Sequence, residues 1–301
     1  MADWSTLAPG AEVTVFNDNI RDTDAVVERL VPFDIVVAMR ERTPLPRERI
    51  ERLPNLQLLV TTGMWNRAID LDAARERGIT VCGTESSREA PVELTWAMIL
   101  GLARNIAAED QAMRRGAWQM QIGIELHGLT LGVMGLGRLG TEVARIGKAF
   151  GMRCIAWSQN LTQSRCEEIG VGYADKDTFF RTADIVTLHV VLSERTKGVV
   201  GARELALMKP AALLINTSRG ALVDTDALIA ALNQGRIAGA AIDVYDEEPL
   251  PANHPLRSAP HTVLTPHIGI TTLQNYRLYY SHVVEDIAAF QRGAPIRVLD
   301  R

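Results

Sequence analysis

Three ionisable residues late in the chain, Arg219, Glu248 and His267, each follow a short apolar run. Arg219 lies in Thr217-Ser-Arg-Gly220 after Leu213-Leu-Ile-Asn216. Glu248 lies in Asp246-Glu-Glu-Pro249 after Ile242-Asp-Val-Tyr245. His267 lies in Thr265-Pro-His-Ile-Gly269 after Val263-Leu-Thr265. A guanidinium binds a carboxylate bidentately and polarises an adjacent keto oxygen. An imidazolium donates a proton to that oxygen as a hydride arrives at its carbon. A carboxylate beside the imidazole orients it and favours its protonated form. These are the parts that carbonyl reduction requires. Taken singly, each has a plainer reading: a surface arginine, a solvated acidic run, a turn histidine. Three of them at successive strand ends are hard to assign to chance.

The hydride source is implied upstream. Residues 130–151 read as a strand, a glycine-rich turn and a helix. The turn is Gly135-Leu-Gly137-Arg138-Leu139-Gly140, a dinucleotide-binding fingerprint in the required context. Gly135 permits a tight turn off the strand, Gly137 lets a pyrophosphate approach the backbone, and Gly140 lets helix and strand pack closely. The helix N-terminus then faces the phosphates with free N–H groups. The acidic residue expected about 20 positions later is absent. After Arg153-Cys-Ile-Ala-Trp157 the run is Ser158, Gln159, Asn160. Without a carboxylate there is no repulsion of a ribose 2′-phosphate, and Ser158 and Asn160 can donate to one, so NADP(H) is favoured over NAD(H). Arg165 is the nearby candidate for added positive charge.

Elements must carry these residues. The first hundred residues alternate strand-like runs (Glu12–Phe16, Asp34–Met39, Leu56–Thr62, Ile79–Cys82) with helix-like ones (24–30, 47–53, 71–77). Such alternation implies a parallel sheet flanked by helices, with ligands at the strands' carboxyl ends near Arg40 and Thr62-Gly63-Met64. Apolar Val92–Arg104 suits a buried connecting helix. A second alternating series follows, with strands Leu131–Met134, Arg153–Trp157, Ile185–His189, Ala212–Asn216, Gly239–Val244 and Thr262–Thr265. Asn275–Gln291 is a final helix. The expected fold is α/β, with two doubly wound parallel-sheet domains. A Rossmann cofactor domain over 97–276 is inserted into a flavodoxin-like substrate domain of 1–96 and 277–301.

The composition fits a two-domain protein at 301 residues, with 47% hydrophobic and 23% charged residues. A net charge of −4 without a Lys/Arg block argues against a nucleic-acid partner. No apolar run is long enough for a membrane, and the start lacks a signal-peptide pattern. The expected location is the cytoplasm. Cys82, Cys154 and Cys166 have no metal spacing, and Cys82 and Cys154 read as buried thiols. Among the other histidines, His189 ends a strand as a structural or cofactor contact. His127, His254, His261 and His282 read as surface or capping residues.

The chain resembles the D-isomer-specific 2-hydroxyacid dehydrogenases over nearly its whole length. The resemblance rests on Glu125 to Gly140, Ala183-Asp-Ile-Val-Thr-Leu-His189, Leu214 to Gly220 with Leu222-Val-Asp224, Ala241 to Pro249, and Thr265 to Gly269. It implies an NAD(P)-dependent dehydrogenase or 2-ketoacid reductase, with Arg219, Glu248 and His267 as the catalytic trio. It also implies that N–H groups around Thr62, Gly63 and Met64 hold the substrate carboxylate, with Arg40 nearby. Thr95, Val190, Thr217 and Asp243 are implied on the nicotinamide or ribose side, Asp243 as acceptor for the carboxamide. An aspartate at a strand end can equally be a cap. Arg138, Leu139, His189, Val191, Ser218 and Gly269 complete the implied cofactor contacts. The implied assembly is a homodimer whose domains close over a small 2-keto or 2-hydroxy acid.

Three departures stand out. Val191 replaces a common proline, Met64-Trp65-Asn66 replaces smaller or acidic residues, and no regulatory domain is expected after Arg301. The alternatives are a nucleotide-sensing, corepressor-like binding protein and an enzyme acting on formate or phosphite.

Overall fold

The computed structural model describes residues 2–7 and 11–300, which pack as two compact units. One unit comprises residues 1–87 and 271–301, the other residues 88–270. The expected boundaries were 96/97 and 276/277. Each would cut a continuous helix, the first one that belongs whole to the larger unit and the second one that belongs whole to the smaller.

The smaller unit runs α1 (Thr23–Leu30), β1 (Ile35–Ala38), α2 (Arg47–Ile50), β2 (Leu58–Thr61), α3 (Leu71–Glu76) and β3 (Thr80–Gly83). Its strands form a parallel sheet in the order β1-β2-β3. Aspartates at the N-caps, Asp22 for α1 and Asp70 for α3, accept first-turn N–H bonds, as short polar side chains do at helix starts. All four residues of β2 are buried, the mark of a strand covered on both faces.

The segment Glu12–Phe16 is irregular and forms no strand. Val13, Val15 and Phe16 are exposed. Local partners compete with any sheet. Phe16 meets Phe33 edge-on at 5.9 Å and lies under the Arg29 guanidinium, which is itself paired with Asp18 at 2.6 Å.

The larger unit runs α4 (Glu89–Ala103), α5 (Ile106–Arg114), β4 (Thr130–Met134), α6 (Arg138–Ala149), β5 (Arg153–Trp157), α7 (Gln163–Ile169), β6 (Gly172–Tyr173), α8 (Lys176–Thr182), β7 (Ile185–Leu188), α9 (Ala202–Leu207), β8 (Leu213–Asn216), α10 (Thr225–Asn233), β9 (Gly239–Ile242) and β10 (Thr262–Leu264). The last helix, α11 (Leu273–Gln291), belongs to the smaller unit, where Val283 and Ile287 pack on Leu58 and Val60 of β2.

The described strands of the larger unit form a parallel sheet in the order β10-β9-β8-β7-β4-β5-β6. Six were expected. The extra one, β6, is two exposed residues that carry no apolar period to announce it. Strand order reverses between β4 and β7, so a crevice opens at their carboxyl ends, where open α/β sheets take ligands. Two apolar layers cover the faces. One is built on Phe179, Phe180, Leu214 and Ile242, the other on Trp96, Ile99, Val143 and Ile215.

All three cysteines are buried free thiols, and burial pushes Cys82 up to about 11. Among the described residues no helix is long and apolar enough to cross a membrane.

Candidate active site

The register of the larger sheet aligns six strand ends. Met134 pairs with Trp157 and with Leu188, Leu188 with Asn216, Asn216 with Ile242, and Ile242 with Leu264. The next residues along the chain, Gly135, Ser158, His189, Thr217, Asp243 and Thr265, therefore stand in one row. Every residue of the expected trio and every expected cofactor contact on this unit, Thr95 on α4 apart, lies in that row or within a few positions of it.

The glycine turn has the space that a dinucleotide needs. Gly135 has φ +95°, which L side chains rarely adopt. A Cβ at Gly140 would overlap the Gly135 carbonyl oxygen, so only glycine lets α6 start this close to the strand. In front of Gly137 there is nothing within 4 Å of where a Cβ would stand. Gly137 caps α6 with no side chain, which leaves the first-turn N–H groups of Arg138, Leu139 and Gly140 open to an acceptor. These residues fit a pyrophosphate.

Behind this turn, His189 Nε2 lies 2.9 Å from Thr187 Oγ1, and burial pushes its pKa down to about 4. The imidazole is neutral at physiological pH. Ser218 Oγ donates to the Val190 carbonyl at 2.9 Å and ties the loops after β7 and β8 together. Val191 is exposed, and its carbonyl accepts from Thr196 Oγ1 at 2.7 Å. Thr95 Oγ1, buried on α4, bonds the Pro91 carbonyl and lies 2.8 Å from Thr217 Oγ1. At the end of β5, Gln159 donates one amide N–H to the Arg195 carbonyl at 2.5 Å. Ser158 and Asn160 flank it.

His267 and Glu248 are brought together. His267 Nδ1 lies 2.6 Å from Glu248 Oε2, while Glu248 Oε1 accepts the Tyr245 N–H at 3.0 Å. Burial alone would raise the Glu248 carboxyl. The His267 hydrogen bond and charge, the Tyr245 N–H and the Arg219 charge outweigh it and hold Glu248 below its ordinary range. Among the described residues no protein atom hydrogen-bonds His267 Nε2. That nitrogen is the one available to a substrate.

His267 has φ +54°, a left-handed conformation that costs a non-glycine residue roughly 1 kcal/mol or more. Asp243 supports it. This buried carboxylate accepts from Thr265 Oγ1 at 2.6 Å and Ile268 N–H at 2.8 Å on Oδ1, and from Gly269 N–H at 3.0 Å on Oδ2. Burial raises the Asp243 pKa, and these donors with the His267 charge partly offset the rise. Its expected role as carboxamide acceptor is thereby narrowed. Only Oδ2 retains capacity for a further donor.

Asn216, which the sequence reading did not single out, does for Arg219 what Asp243 does for His267. Its Nδ2 donates to the Arg219 carbonyl at 2.9 Å and its Oδ1 accepts the Ser218 N–H at 3.1 Å. An amide closing an otherwise apolar buried strand was the available signal. Tyr245 Oη lies within hydrogen-bond distance of the carbonyls of Ile242 and Thr265, joining β9 to β10.

The smaller unit arranges its own expected residues differently from the reading above. The Thr62 N–H donates to the Ala38 carbonyl at 3.0 Å and the Gly63 N–H to Thr84 Oγ1 at 2.9 Å. Both hold the turn together and are taken. The Met64 N–H is the one left of the three. Thr62 Oγ1 instead accepts the Arg40 N–H at 3.0 Å and supports that residue's φ of +51°. The Arg40 guanidinium lies over Gly63, in space a Cβ there would occupy. Asn66 Nδ2 locks the loop through the Arg40 carbonyl at 2.9 Å and Thr61 Oγ1 at 2.8 Å. His254 caps the turn at Leu256, in line with a capping histidine.

Residues 96–269 match the model of the D-isomer specific 2-hydroxyacid dehydrogenases, NAD binding domain. A glyoxylate reductase of Aeropyrum pernix is 39% identical over 254 residues, covering 81% of this chain and 76% of that protein. One from Thermococcus litoralis is 37% identical over 289 residues, 93% of this chain and 84% of that protein. Among solved structures, a phosphoglycerate oxidoreductase of Vibrio cholerae O395 matches with TM-score 0.90 and 37% identity, covering 95% of this chain and 93% of that chain. The chain belongs to this family of oxidoreductases.

His189 gives the site a measurable pH signature. The unfolded chain takes up this proton near 6.5, the folded chain only near 4. Between those values the unfolded state binds more protons, so stability is full at pH 7 and falls as pH drops toward 4. Urea midpoints compared at pH 7 and pH 5 are expected to show this loss in the wild type and a smaller one in His189→Gln. An equal loss in both would contradict the assignment.

Proposed function

We propose that this member of the family reduces a small 2-keto acid to the D-2-hydroxy acid with a nicotinamide cofactor, reversibly, through Arg219, Glu248 and His267. The observation that carries the reading is the 2.6 Å His267–Glu248 contact, set in the row of strand ends beside the glycine turn and under the influence of the Arg219 charge. The names of the glyoxylate reductase relatives support the substrate class.

Each residue has a stated task. The cofactor supplies the hydride when bound. Arg219 binds the substrate carboxylate and polarises the keto oxygen. His267 delivers a proton from Nε2 to that oxygen, and Glu248 on Nδ1 fixes the ring orientation and stabilises the imidazolium. Arg40 and the Met64 N–H of the smaller unit are further carboxylate ligands, making that unit the substrate domain. The α6 N-terminus with Gly137 takes the pyrophosphate, and the carboxylate-free run Ser158 to Asn160 favours NADP(H).

The active form is a homodimer in the cytoplasm. The dimer is supported by a run of exposed apolar side chains over α5 and the segment after it: Ile106, Met113, Trp118, Met120 and Ile122. Such a patch on a folded surface calls for a partner. Trp118→Glu is expected to sediment as a monomer where the wild type sediments as a dimer; a monomeric wild type would contradict this.

The reaction itself is tested with NADPH and NADH against glyoxylate, hydroxypyruvate, pyruvate and bulkier 2-keto acids, with formate and phosphite alongside. Turnover of at least one keto acid is expected. Turnover of formate or phosphite alone, or cofactor binding with no turnover, would overturn the reading. Glu248→Gln is expected to lower kcat by roughly tenfold to a hundredfold while leaving NADPH affinity near the wild-type value. An unchanged kcat would remove Glu248 from its role.

A further inference from the structure

The sequence nominates Arg165 as the positive charge beside the strand end that meets the ribose. In the structure its partner is a neighbour on its own helix. Arg165 Nη1 lies 2.9 Å from Glu168 Oε2, so the two charges neutralise each other along α7. Another arginine stands at the strand end. Arg195, in the loop after β7, brings Nη2 to 3.3 Å from Asn160 Oδ1, and its own carbonyl accepts Gln159 Nε2 at 2.5 Å. Strands β5 and β7 flank β4, so these loops meet beside the carboxyl end that carries the glycine turn.

The chemistry of this cluster is one-sided. Its side chains are Ser158, Asn160 and Arg195, with Gln159 tied by one N–H to the Arg195 backbone. Among the described residues no carboxylate lies within ion-pair distance of Arg195, whose side chain is exposed. Asn160 turns its oxygen to the guanidinium, which leaves its Nδ2 as the end free to donate. A ribose 2′-hydroxyl is best met by an acceptor carboxylate, and the run Ser158 to Asn160 at the end of β5 offers none. A 2′-phosphate is best met by donors and a planar cation, which are present.

We infer that Arg195 is the residue by which this protein selects the 2′-phosphorylated dinucleotide. The inference rests on the dinucleotide site proposed above and adds to it the source of positive charge. Gln159 acts as a positioning residue, because it holds the backbone of Arg195 and not the ligand. An arginine that served only to staple the two loops would affect both cofactors alike.

The test is equilibrium binding, read by reduced-nicotinamide fluorescence and by calorimetry with 2′,5′-ADP and 5′-ADP. Arg195→Ala is expected to raise Kd for NADPH and for 2′,5′-ADP about tenfold or more, leaving NADH and 5′-ADP within about twofold. Arg195→Glu is expected to invert the preference toward NADH. Arg165→Ala, with the same change in net charge, is expected to leave the ratio of NADPH to NADH affinity unchanged. In the wild type that ratio falls as salt rises, and in Arg195→Ala it does so less. Equal weakening of both cofactors in Arg195→Ala, or no change in either, overturns the role of Arg195 while the dinucleotide site stands. A wild type that binds neither cofactor overturns both.

Discussion

The parallel register of the larger sheet is the constraint on which the site depends. Pairing Met134 with Trp157 and Leu188, and continuing through Asn216 and Ile242 to Leu264, forces six strand ends to terminate together. A slip of one residue on any strand would send each of its side chains into the opposite apolar layer, so the fit of the two layers enforces the alignment. Chemistry then follows from position. The chain must leave the sheet along this edge, and the groups it carries there, a glycine turn, an imidazole, a carboxylate and a guanidinium, are gathered without any being adjacent in sequence.

Alignment alone does not fix side chains to the tolerance that catalysis needs. A second set of contacts does. Asp243 gathers Thr265, Ile268 and Gly269 about His267, while Asn216 accepts the Ser218 N–H and donates to the Arg219 carbonyl. Both are buried polar groups, whose removal from water is unfavourable unless their donors and acceptors are met. Here that demand becomes an organising force. A loop that fails to supply its N–H groups would leave a charge unpaired in the interior. The left-handed backbone at His267 is tolerated because three bonds around it over-determine the loop. The His267 imidazole is thereby held in one place by its own loop.

Much of this was legible in the sequence, for a physical reason. Buried parallel strands are near-continuous apolar runs, and Leu58–Thr61 or Leu213–Asn216 cannot easily be read otherwise. The trio and the glycine turn were legible because each sits directly after such a run. What stayed hidden depends on contacts distant along the chain. The apolar alternation at Glu12–Phe16 suggests a strand, yet Phe16 finds Phe33 and Arg29 first. The N–H groups of Thr62 and Gly63 looked available until Ala38 and Thr84 were placed opposite them. Arg165 was nominated because it is near Asn160 in sequence, whereas Arg195, 35 residues from Asn160, is near it in space.

The central claim is that His267 supplies the proton at the carbonyl oxygen. Single-turnover reduction of glyoxylate by NADPH in His267→Ala, with and without added imidazole, tests it most directly. The account predicts that the variant binds NADPH with nearly wild-type affinity but reduces glyoxylate about a hundredfold or more slowly. It also predicts that imidazolium restores part of the rate in proportion to its protonated fraction. A variant that reduces glyoxylate at the wild-type rate, with no response to imidazole, would contradict it.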